Sequence, residues 1–234
     1  MEFTKLSAPS LKELFIAQLE TMILSGKLLI GEKLPPERDL ADSMQVSRAV
    51  VNAGITELSR KGFLLIKPRV GTFVADYRRN GTTETLISIM NYNGGILREA
   101  EIRSVLEIRI AFDTLAVELC VTKISDVEIA TLKNYVNQMR DAQSPEVAAK
   151  LAFAFQHELA FLSGNTLMPL IFSSFKVLVL SLWERFCRLY GIESLYQNTS
   201  ILCDYIERRD ASKAKEWLVS TINDTIYGDR QIYY

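Results

Sequence analysis

Residues that could carry metal-ion or nucleophilic chemistry are scarce in this chain of 234 residues. It contains one histidine, His157, and three widely separated cysteines, Cys120, Cys187 and Cys203, with no C-x-x-C pair. Most zinc sites, and the Ser-His and Cys-His pairs of nucleophilic catalysis, need histidine, and a disulfide framework needs paired cysteines. We therefore expect buried thiols, no disulfide framework or cysteine-rich zinc site, and no enzymatic activity.

The charged residues are suited to recognising anions, and they are unevenly distributed. The whole chain has 27 basic and 28 acidic residues, which gives a net charge of −1. Residues 47–79 nevertheless hold seven Lys or Arg against two Asp or Glu, while residues 80–234 hold more acids than bases. Such an asymmetry suggests a nucleic-acid-binding module joined to a domain of another kind.

Length and composition predict a cytoplasmic globular protein of two domains. Hydrophobic residues make up 48% of the chain and charged residues 24%, which is enough apolar surface for a core. No uninterrupted apolar run approaches the roughly 18 residues that a membrane span needs. The first residues also lack the apolar segment of an export signal.

Apolar periodicity and turn residues define the elements of the first domain, residues 1–77. Pro35-Pro36 precedes a run of acidic and basic residues, as at a helix start, and Ser47 and Gly62 stand where a helix cap and stop are expected. The predicted elements are three helices, 11–24, 37–43 and 47–61, and a β-hairpin with a basic tip, 63–66 and 72–74.

The rest of the chain is predicted to be all-helical. Residues 78–85 are polar, include the turn dipeptide Asn80-Gly81, and are interpreted as a linker. Residues 86–234 lack strand-like alternation, which predicts a bundle of six to seven helices and a mainly α protein. The bundle helices are placed at 84–90, 99–121, 126–142, 145–162, 167–190, 193–208 and 211–227, with Ser125, Ser144, Asn165 and Asp210 as N-caps.

Three helices followed by a hairpin is the order of a winged helix-turn-helix, in which the third helix enters the major groove of DNA. Four motifs accompany that order: I-x2-G-x4-G-x-x-L-P-x-E-R-x-L-A over 23–41, V-S-R over 46–48, L-x3-G over 58–62 and G-T-F-V over 71–74. This pattern resembles the GntR family of bacterial transcription regulators. The resemblance implies a homodimer that binds a palindromic operator DNA, with one winged domain on each half-site.

The matched residues predict the contacts to operator DNA. Arg38 and Arg48 present a fork of donors suited to a guanine edge or a phosphate, and both positions contact the operator in the family. Arg38 has an alternative partner in Asp42, four residues along the same helix. Ser47 is expected to cap its helix and to donate to a phosphate. The hairpin contacts are expected from Lys67, Arg69, Gly71 and Thr72.

The third helix departs from the usual S-R-x-x-V-R-E-A pattern of the family at residues 52–54, and two of these three positions bear on function and packing. Asn52 stands where a base-reading Arg is common. Because Asn favours adenine and Arg favours guanine, we expect Asn52 to contact DNA and the operator to differ at that base. Gly54 replaces Ala and lowers helix propensity, and the sequence offers no functional reason for it.

Residues 85–227 resemble the FadR-type C-terminal ligand-binding domain of the same family. The resemblance is carried by R-x2-L-E over 103–107, L-A-F-x-S-G-N over 159–165 and E-x2-D-x3-A over 207–214. Many such domains bind a divalent metal through one Asp and three His. The corresponding positions here are Ala152, Gln156, Asn198 and Thr221, none a strong ligand, and His157 is one residue out of register. We therefore expect no metal.

Because the metal ligands are missing, the chain resembles the fatty acyl-CoA-responsive members of the family more than the metal-binding members. Residues 220–227, however, differ from the segment that receives the coenzyme in those acyl-CoA-responsive proteins. The expected effector is an acyl-CoA or a smaller carboxylate, bound inside the bundle and coupled to DNA binding through the linker. Two alternatives stay open: a constitutive DNA-binding dimer without effector, and a helical enzyme with a nucleic-acid anchor. The candidate ligand contacts are Arg103, Arg109, Tyr135, Gln156, Asn165, Trp183, Arg185, Asn198 and Tyr227, with Tyr190 and Trp217 as further candidates.

Overall fold

A computed structural model of the chain describes residues 8–92 and 99–233, which form two compact units that divide after Tyr92. The described residues contain twelve helices and one two-stranded sheet, so the predicted mainly α class is confirmed. Among these helices there is none whose length and hydropathy would suit it to span a membrane.

The first unit has the predicted winged helix-turn-helix order, extended by two further helices. Local capping fixes the helix starts: Ser10 and Glu13 form a reciprocal capping box on the first helix, and the Ser47 hydroxyl caps the third. The elements are α1 (Leu11–Leu24), α2 (Glu37–Met44), α3 (Arg48–Arg60), β1 (Leu64–Lys67), β2 (Gly71–Val74), α4 (Tyr77–Asn80) and α5 (Thr83–Asn91).

One apolar core joins α1, α2, α3 and the hairpin. The two strands are antiparallel, with Leu64 opposite Val74 and Lys67 opposite Gly71, and Lys33 adds an isolated bridge to Phe73. Because the buried side chains of α3 and both strands share this core, the hairpin and the third helix are held in one rigid arrangement. The buried members of this core are Phe15, Ile16, Leu19, Ile23, Leu28, Leu34, Leu40, Ala41, Val51, Ile55, Leu58, Phe63, Leu64 and Val74.

The first unit extends past the boundary that the sequence predicts at residue 77. Residues 78–85, interpreted as a linker, lie in α4 and in the start of α5. The Lys61 ammonium lies 2.9 Å from the Glu20 carboxylate and 3.5 Å from the Ser88 hydroxyl, and it thereby connects α1, the end of α3 and α5. These polar contacts between distant residues explain why periodicity along the chain did not reveal the association.

The second unit is an all-helical bundle, as predicted. Three of its helices start at side-chain caps that the sequence identifies: Ser125, Ser144 and Asp210 each accept a backbone N–H of the first turn. The helices are α6 (Glu99–Val121), α7 (Asp126–Arg140), α8 (Pro145–Leu162), α9 (Met168–Ser174), α10 (Lys176–Tyr190), α11 (Ile192–Glu207) and α12 (Ala211–Tyr227).

The helix predicted over 167–190 is divided into α9 and α10 at Phe175, whose backbone angles are φ −89° and ψ 0°. The Ser174 hydroxyl donates to the Ile171 carbonyl at 2.6 Å. Hydroxyls that bond back to the preceding turn compete with the helical ladder and bend helices. Serine spacing alone does not show whether such a bend becomes a break, so the periodic pattern predicted one continuous helix.

The three cysteines are buried and unpaired, as expected. Burial raises the pKa of the Cys120 thiol to about 11 and those of Cys187 and Cys203 to about 12. Since the thiolate is the reactive species, these side chains are inert packing groups near neutral pH.

Gly54 is explained by the packing of α1 on α3. A Cβ at this position would lie 2.3 Å from Cδ1 of Phe15, whose ring is buried in the core of the first unit. The absence of a side chain therefore lets the Phe15 ring approach the backbone of α3. The reason for glycine is a tertiary contact with a residue 39 positions earlier, which no local pattern reveals.

We predict that Gly54→Ala destabilises the protein. Helix propensity alone would stabilise the alanine variant by up to about 1 kcal/mol. Overpacking against Phe15 costs about 1–3 kcal/mol, so the net effect should be a loss of stability, measured by thermal unfolding followed by circular dichroism. Phe15→Leu should restore part of that loss in the double variant, because the smaller side chain relieves the clash. Wild-type or higher stability of Gly54→Ala would contradict this explanation.

Candidate nucleic-acid interface and bundle cavity

The turn between α2 and α3 sets the position of the third helix. Gln45 closes α2 in the left-handed region, at φ 52°, and the Ser47 hydroxyl accepts from the Val50 N–H at 3.3 Å. The N-cap role predicted for Ser47 is therefore present, and the contact of its hydroxyl with a phosphate stays a prediction. The turn leaves the first residues of α3 at the surface.

Polar side chains of α2 and α3 are exposed where base contacts are predicted. Arg48 and Asn52 are both exposed and lie four residues apart, on one face of α3. The Asn52 amide lies 3.4 Å from the carboxylate of Glu37 on α2. Arg38 forms the alternative pair with Asp42 at 3.7 Å, but both side chains are 73% exposed. Such a surface pair contributes little stability, so Arg38 remains available to another anion.

The hairpin presents its basic residues through an unusual backbone. Arg69 at the tip has φ 63° and Gly71 has φ 136°, both in the left-handed half of conformational space. The Lys67 ammonium lies 4.7 Å from the centre of the Phe73 ring, a cation–π distance. The positive φ accounts for glycine at position 71. Thr72 is half-buried beside it.

Lys33 is a basic residue of this hairpin that the sequence reasoning missed. It pairs with Phe73 through the isolated bridge, and its ammonium lies 5.9 Å from the Phe73 ring. The strand-like pairing of a residue from the α1–α2 connection thus brings a second cation, after Lys67, to the Phe73 ring. No periodic signal surrounds Lys33, so only the fold reveals it.

The second unit contains a cavity of about 70 Å³ between its helices. The lining includes a cation, two amides, three threonines and both tryptophans of the chain among aliphatic side chains. It is thus an apolar site with a few polar groups, the usual composition of a small-molecule site. The lining residues are Leu106, Arg109, Ala152, Gln156, Leu182, Trp183, Phe186, Leu195, Asn198, Thr199, Leu202, Trp217, Leu218, Thr221, Ile222, Thr225 and Ile232.

Arg109 is the cation of the cavity, and its surroundings fix the guanidinium. One terminal nitrogen lies 2.9 Å from the Asp113 carboxylate, and the guanidinium carbon lies 4.6 Å from the centre of the Trp183 ring. Burial raises the pKa of Asp113, which is 3% exposed, while the adjacent Arg109 opposes that shift. The Nε of Arg109 is buried and has no hydrogen-bond partner within residues 8–92 and 99–233. This N–H is therefore able to donate to an oxygen atom of a ligand.

Several predicted ligand residues line this cavity, and others lie elsewhere. Arg109, Gln156, Trp183 and Asn198 are part of the lining, as is Trp217. The remaining candidates have structural roles that the sequence did not distinguish from ligand contacts. Tyr135 packs against the bundle core, and Asn165 accepts from the N–H groups of Leu167 and Met168. The Arg103 guanidinium stacks on Tyr227. Arg185 and Tyr190 donate hydrogen bonds to backbone carbonyls of residues 231–233.

Thr199, Thr225 and Ile232 line the cavity and were missed. The Thr225 hydroxyl donates to the Ile222 carbonyl at 2.7 Å, and Thr221, one turn earlier, donates to the Trp217 carbonyl at 2.9 Å. Their donors are thus used, and their lone pairs remain for a ligand. The four-residue spacing of the two threonines on α12 was the available signal.

The four positions that correspond to metal ligands in related domains, Ala152, Gln156, Asn198 and Thr221, all line the same cavity. In the part of the chain that the structure describes, no three His, Cys, Asp or Glu side chains are grouped as a metal site would require. His157 is half-buried outside the lining, where its Nε2 lies 2.9 Å from the Ser173 hydroxyl and its ring stacks on Phe153.

Comparison with known families assigns both units. The family of bacterial regulatory proteins described as the gntR family matches residues 11–74, and the FCD domain matches residues 104–224, more than half of the chain. The chain belongs to the GntR family. It is therefore a DNA-binding transcriptional regulator with a FadR-like, effector-binding FCD domain, and it is not an enzyme, as the sequence predicted.

Two curated GntR relatives cover most of the chain. LutR, a transcriptional regulator of Bacillus subtilis, is 21% identical over 210 residues, which are 87% of this chain and 94% of LutR. The fatty acid metabolism regulator protein of Shewanella halifaxensis is 28% identical over 168 residues, which are 72% of this chain and 67% of that protein.

A solved structure supports the same fold. Lar, which controls the expression of the agr system of Listeria monocytogenes, matches with a TM-score of 0.64 and 15% identity. The match covers 95% of this chain and 97% of the other. At this level of identity the likeness concerns the fold alone.

We predict that Arg48→Ala and Arg69→Ala affect DNA binding differently. Loss of a bidentate base contact by Arg48 should cost about 1–3 kcal/mol on an operator selected from random DNA. Loss of a phosphate contact by Arg69 should weaken operator and random DNA alike and should reduce the salt dependence of log K by about one unit. Fluorescence anisotropy titrations over a range of salt concentrations measure both effects.

Arg140→Ala is the matched control for both variants. This arginine is also exposed, but it lies in the FCD unit and pairs with Asp141 at 3.5 Å. Its removal changes the net charge by the same amount and should leave operator binding unchanged. If Arg48→Ala bound the operator with wild-type affinity, the assignment of Arg48 as a base contact would be wrong.

Proposed function

We propose that this regulator binds a palindromic operator as a homodimer in the bacterial cytoplasm, and that a small carboxylate in the FCD cavity controls its affinity for DNA. The observation that carries the proposal is the buried Arg109, which lines the cavity and has an unpartnered Nε. A single winged unit offers few base and phosphate contacts, which supports a dimer with one unit on each half-site.

The chemistry of Arg109 favours a carboxylate. A guanidinium offers donors in a planar fork, which suits the two oxygens of a carboxylate, and the bond is strongest where water is excluded. Stacking on Trp183 holds the plane of the fork, while Asp113 uses one terminal nitrogen. The Nε lies on the same edge of the guanidinium as that nitrogen, and it is the donor that remains for an oxygen of the ligand.

The size of the cavity favours a short ligand. An engineered cavity of about 150 Å³ is enough for benzene, and the FCD cavity is about half as large, at about 70 Å³. This space suits an acid of a few heavy atoms rather than an extended acyl chain. A fatty acyl-CoA is the second candidate, and its support comes from the likeness to the Shewanella fatty acid metabolism regulator.

Control of DNA binding requires that the effector distinguish two states of the dimer. A ligand releases DNA only if it binds the DNA-incompetent state more tightly than the competent one. Linkage makes the effect reciprocal, so operator DNA weakens effector binding by the same factor. Equal affinity for both states would leave the dimer as a constitutive DNA-binding protein.

We predict that one or more short carboxylates stabilise the protein and lower its operator affinity. A ligand at 100 times its Kd contributes about 2.7 kcal/mol of stability, which a thermal-shift assay detects. A panel of acids of increasing chain length and of acyl-CoAs should be measured for thermal shift and for DNA binding. If no compound changes either quantity, the constitutive dimer is the better description.

Arg109→Lys tests the assignment of the cation. Lysine keeps the charge beside the buried Asp113 but lacks the fork, so carboxylate binding should weaken by about tenfold or more. Arg103→Lys is the matched control, because Arg103 lies on the same helix but outside the cavity lining, where it pairs with Glu99 at 3.2 Å. Equal losses in both variants would contradict a specific role for Arg109.

We also propose that the FCD cavity of this chain holds no metal, and we predict that EDTA leaves the melting temperature unchanged. A metal bound only by the folded protein must stabilise it, so its removal would lower the melting temperature. The quadruple variant Ala152→Asp, Gln156→His, Asn198→His and Thr221→His restores the family ligand set in one cavity and serves as the positive control. One equivalent of transition metal in the wild-type protein, by elemental analysis, would contradict the proposal.

A further inference from the structure

A short segment after α12, residues 228–233, folds back over the bundle; we call it the strap. Gly228 begins it, and a Cβ there would lie 2.1 Å from Oδ1 and 2.9 Å from the Cα of Asp224. The missing side chain therefore lets the chain leave α12 close to the helix surface. The Asp229 N–H donates to the Asp224 carboxylate at 3.1 Å, which fixes the direction of the strap.

Helix α10 binds the strap through its main-chain carbonyls. The Arg185 Nε donates to the carbonyl of Ile232 at 2.8 Å, and a terminal nitrogen of the same guanidinium donates to the carbonyl of Tyr233. The Tyr190 hydroxyl donates to the carbonyl of Gln231 at 2.7 Å. Three consecutive carbonyls are thus held by two side chains, so the strap is an ordered part of the unit.

The strap contributes one side chain to the cavity. Ile232 is 3% exposed and belongs to the lining, together with Arg109 and both tryptophans. Gln231 is exposed, and Arg230 and Tyr233 are half-buried outside the lining. Ile232 is therefore the part of the strap that closes the site.

The strap can detach at low cost compared with unfolding of the bundle. Among the described residues, the strap is bonded to α10 through three main-chain carbonyls, and to α12 through the Tyr233 hydroxyl, which donates to the Ile226 carbonyl at 3.0 Å, and through the Arg230–Asp224 pair at 3.7 Å. Each of these bonds has a modest net strength because water replaces it, and Ile232 is the one fully buried side chain of the strap. Segments with few buried apolar contacts open locally, at free energies well below that of global unfolding. Opening removes Ile232 from the lining and widens the access of the cavity to solvent.

We propose that the strap is the removable wall of the effector cavity, and that the Ile232 side chain sets the length of the ligand that the closed site accepts. The part of this inference that concerns ligand length rests on the proposed function. The part that concerns closure of the cavity does not need a ligand, and it is tested separately.

Closure is tested with the intrinsic fluorescence of the protein. The chain has two tryptophans, Trp183 and Trp217; Trp217 is half-buried and also lines a second pocket, so all variants are made in a Trp217→Phe background, where quenching of Trp183 by acrylamide reports access to the cavity. Tyr190→Phe removes one strap bond but keeps the ring, and Ile232→Ala removes the wall itself. The quenching constant should rise about twofold or more in Ile232→Ala and by a smaller factor in Tyr190→Phe, because opening becomes more frequent.

Matched controls separate closure from general loosening. Tyr205→Phe removes a hydroxyl from a tyrosine packed in the bundle core, and Ile129→Ala shortens a buried side chain of α7 that lies outside both the cavity lining and the strap. Both should retain the wild-type quenching constant, and circular dichroism should show that all variants are folded. Wild-type quenching in folded Tyr190→Phe and Ile232→Ala would overturn the proposal that the strap closes the cavity.

The role in ligand length is tested with straight-chain carboxylates of increasing length, measured by calorimetry. Each methylene that the enlarged site buries should strengthen binding about fourfold, so Ile232→Ala should prefer acids longer by about two or three carbons. An unchanged length preference in Ile232→Ala would overturn this role. If no carboxylate binds wild-type or variant while the quenching result holds, closure by the strap stands and the proposed effector class is wrong.

Discussion

The FCD unit must keep the positive charge of Arg109 out of bulk water. A buried charge is costly unless it is paired and hydrogen-bonded, and the bundle meets this requirement with Asp113 on the next turn of α6 and with the ring of Trp183 on α10. The pairing is incomplete, because one buried nitrogen keeps an unused donor. Close packing around the guanidinium would leave that donor permanently unsatisfied, whereas a cavity beside it permits a ligand to satisfy it.

Arginine is suited to binding anions in both units, but its surroundings differ between them. In the winged unit, arginines that are suited to DNA are exposed and are positioned by backbone features, namely the left-handed Gln45 and Arg69 and the Ser47 cap. In the FCD unit the central arginine is positioned by other side chains and is nearly buried. Exposed charges attract a polyanion at long range and depend on salt, while a buried charge recognises one small anion by shape.

Most helices, the hairpin and the exposed basic residues could be predicted from the sequence, because they depend on local periodicity, caps and turns. Gly54, Lys33 and Ile232 could not, since each matters through a residue distant in the chain. The extension of the first unit past residue 77 was not visible in the sequence for the same reason: the contacts of Lys61 with Glu20 and Ser88 join segments that look unrelated. The residue types predicted which aromatic and charged side chains were candidates for the cavity. They did not distinguish Arg109, which lines the cavity, from Arg103 and Arg185, which stabilise neighbouring chain segments.

The attachment of the strap has an evolutionary consequence. Since α10 binds main-chain oxygens, which every amino acid possesses, substitutions at positions 229–231 and 233 leave these bonds in place. The side chains of Arg230 and Tyr233 contact α12, and position 232 is the position of the strap whose side chain lines the cavity. Under the proposed function, single mutations at that position change the size of the signal molecule that the cavity accepts, while the bundle core, the helix order and the DNA-reading surface are inherited unaltered.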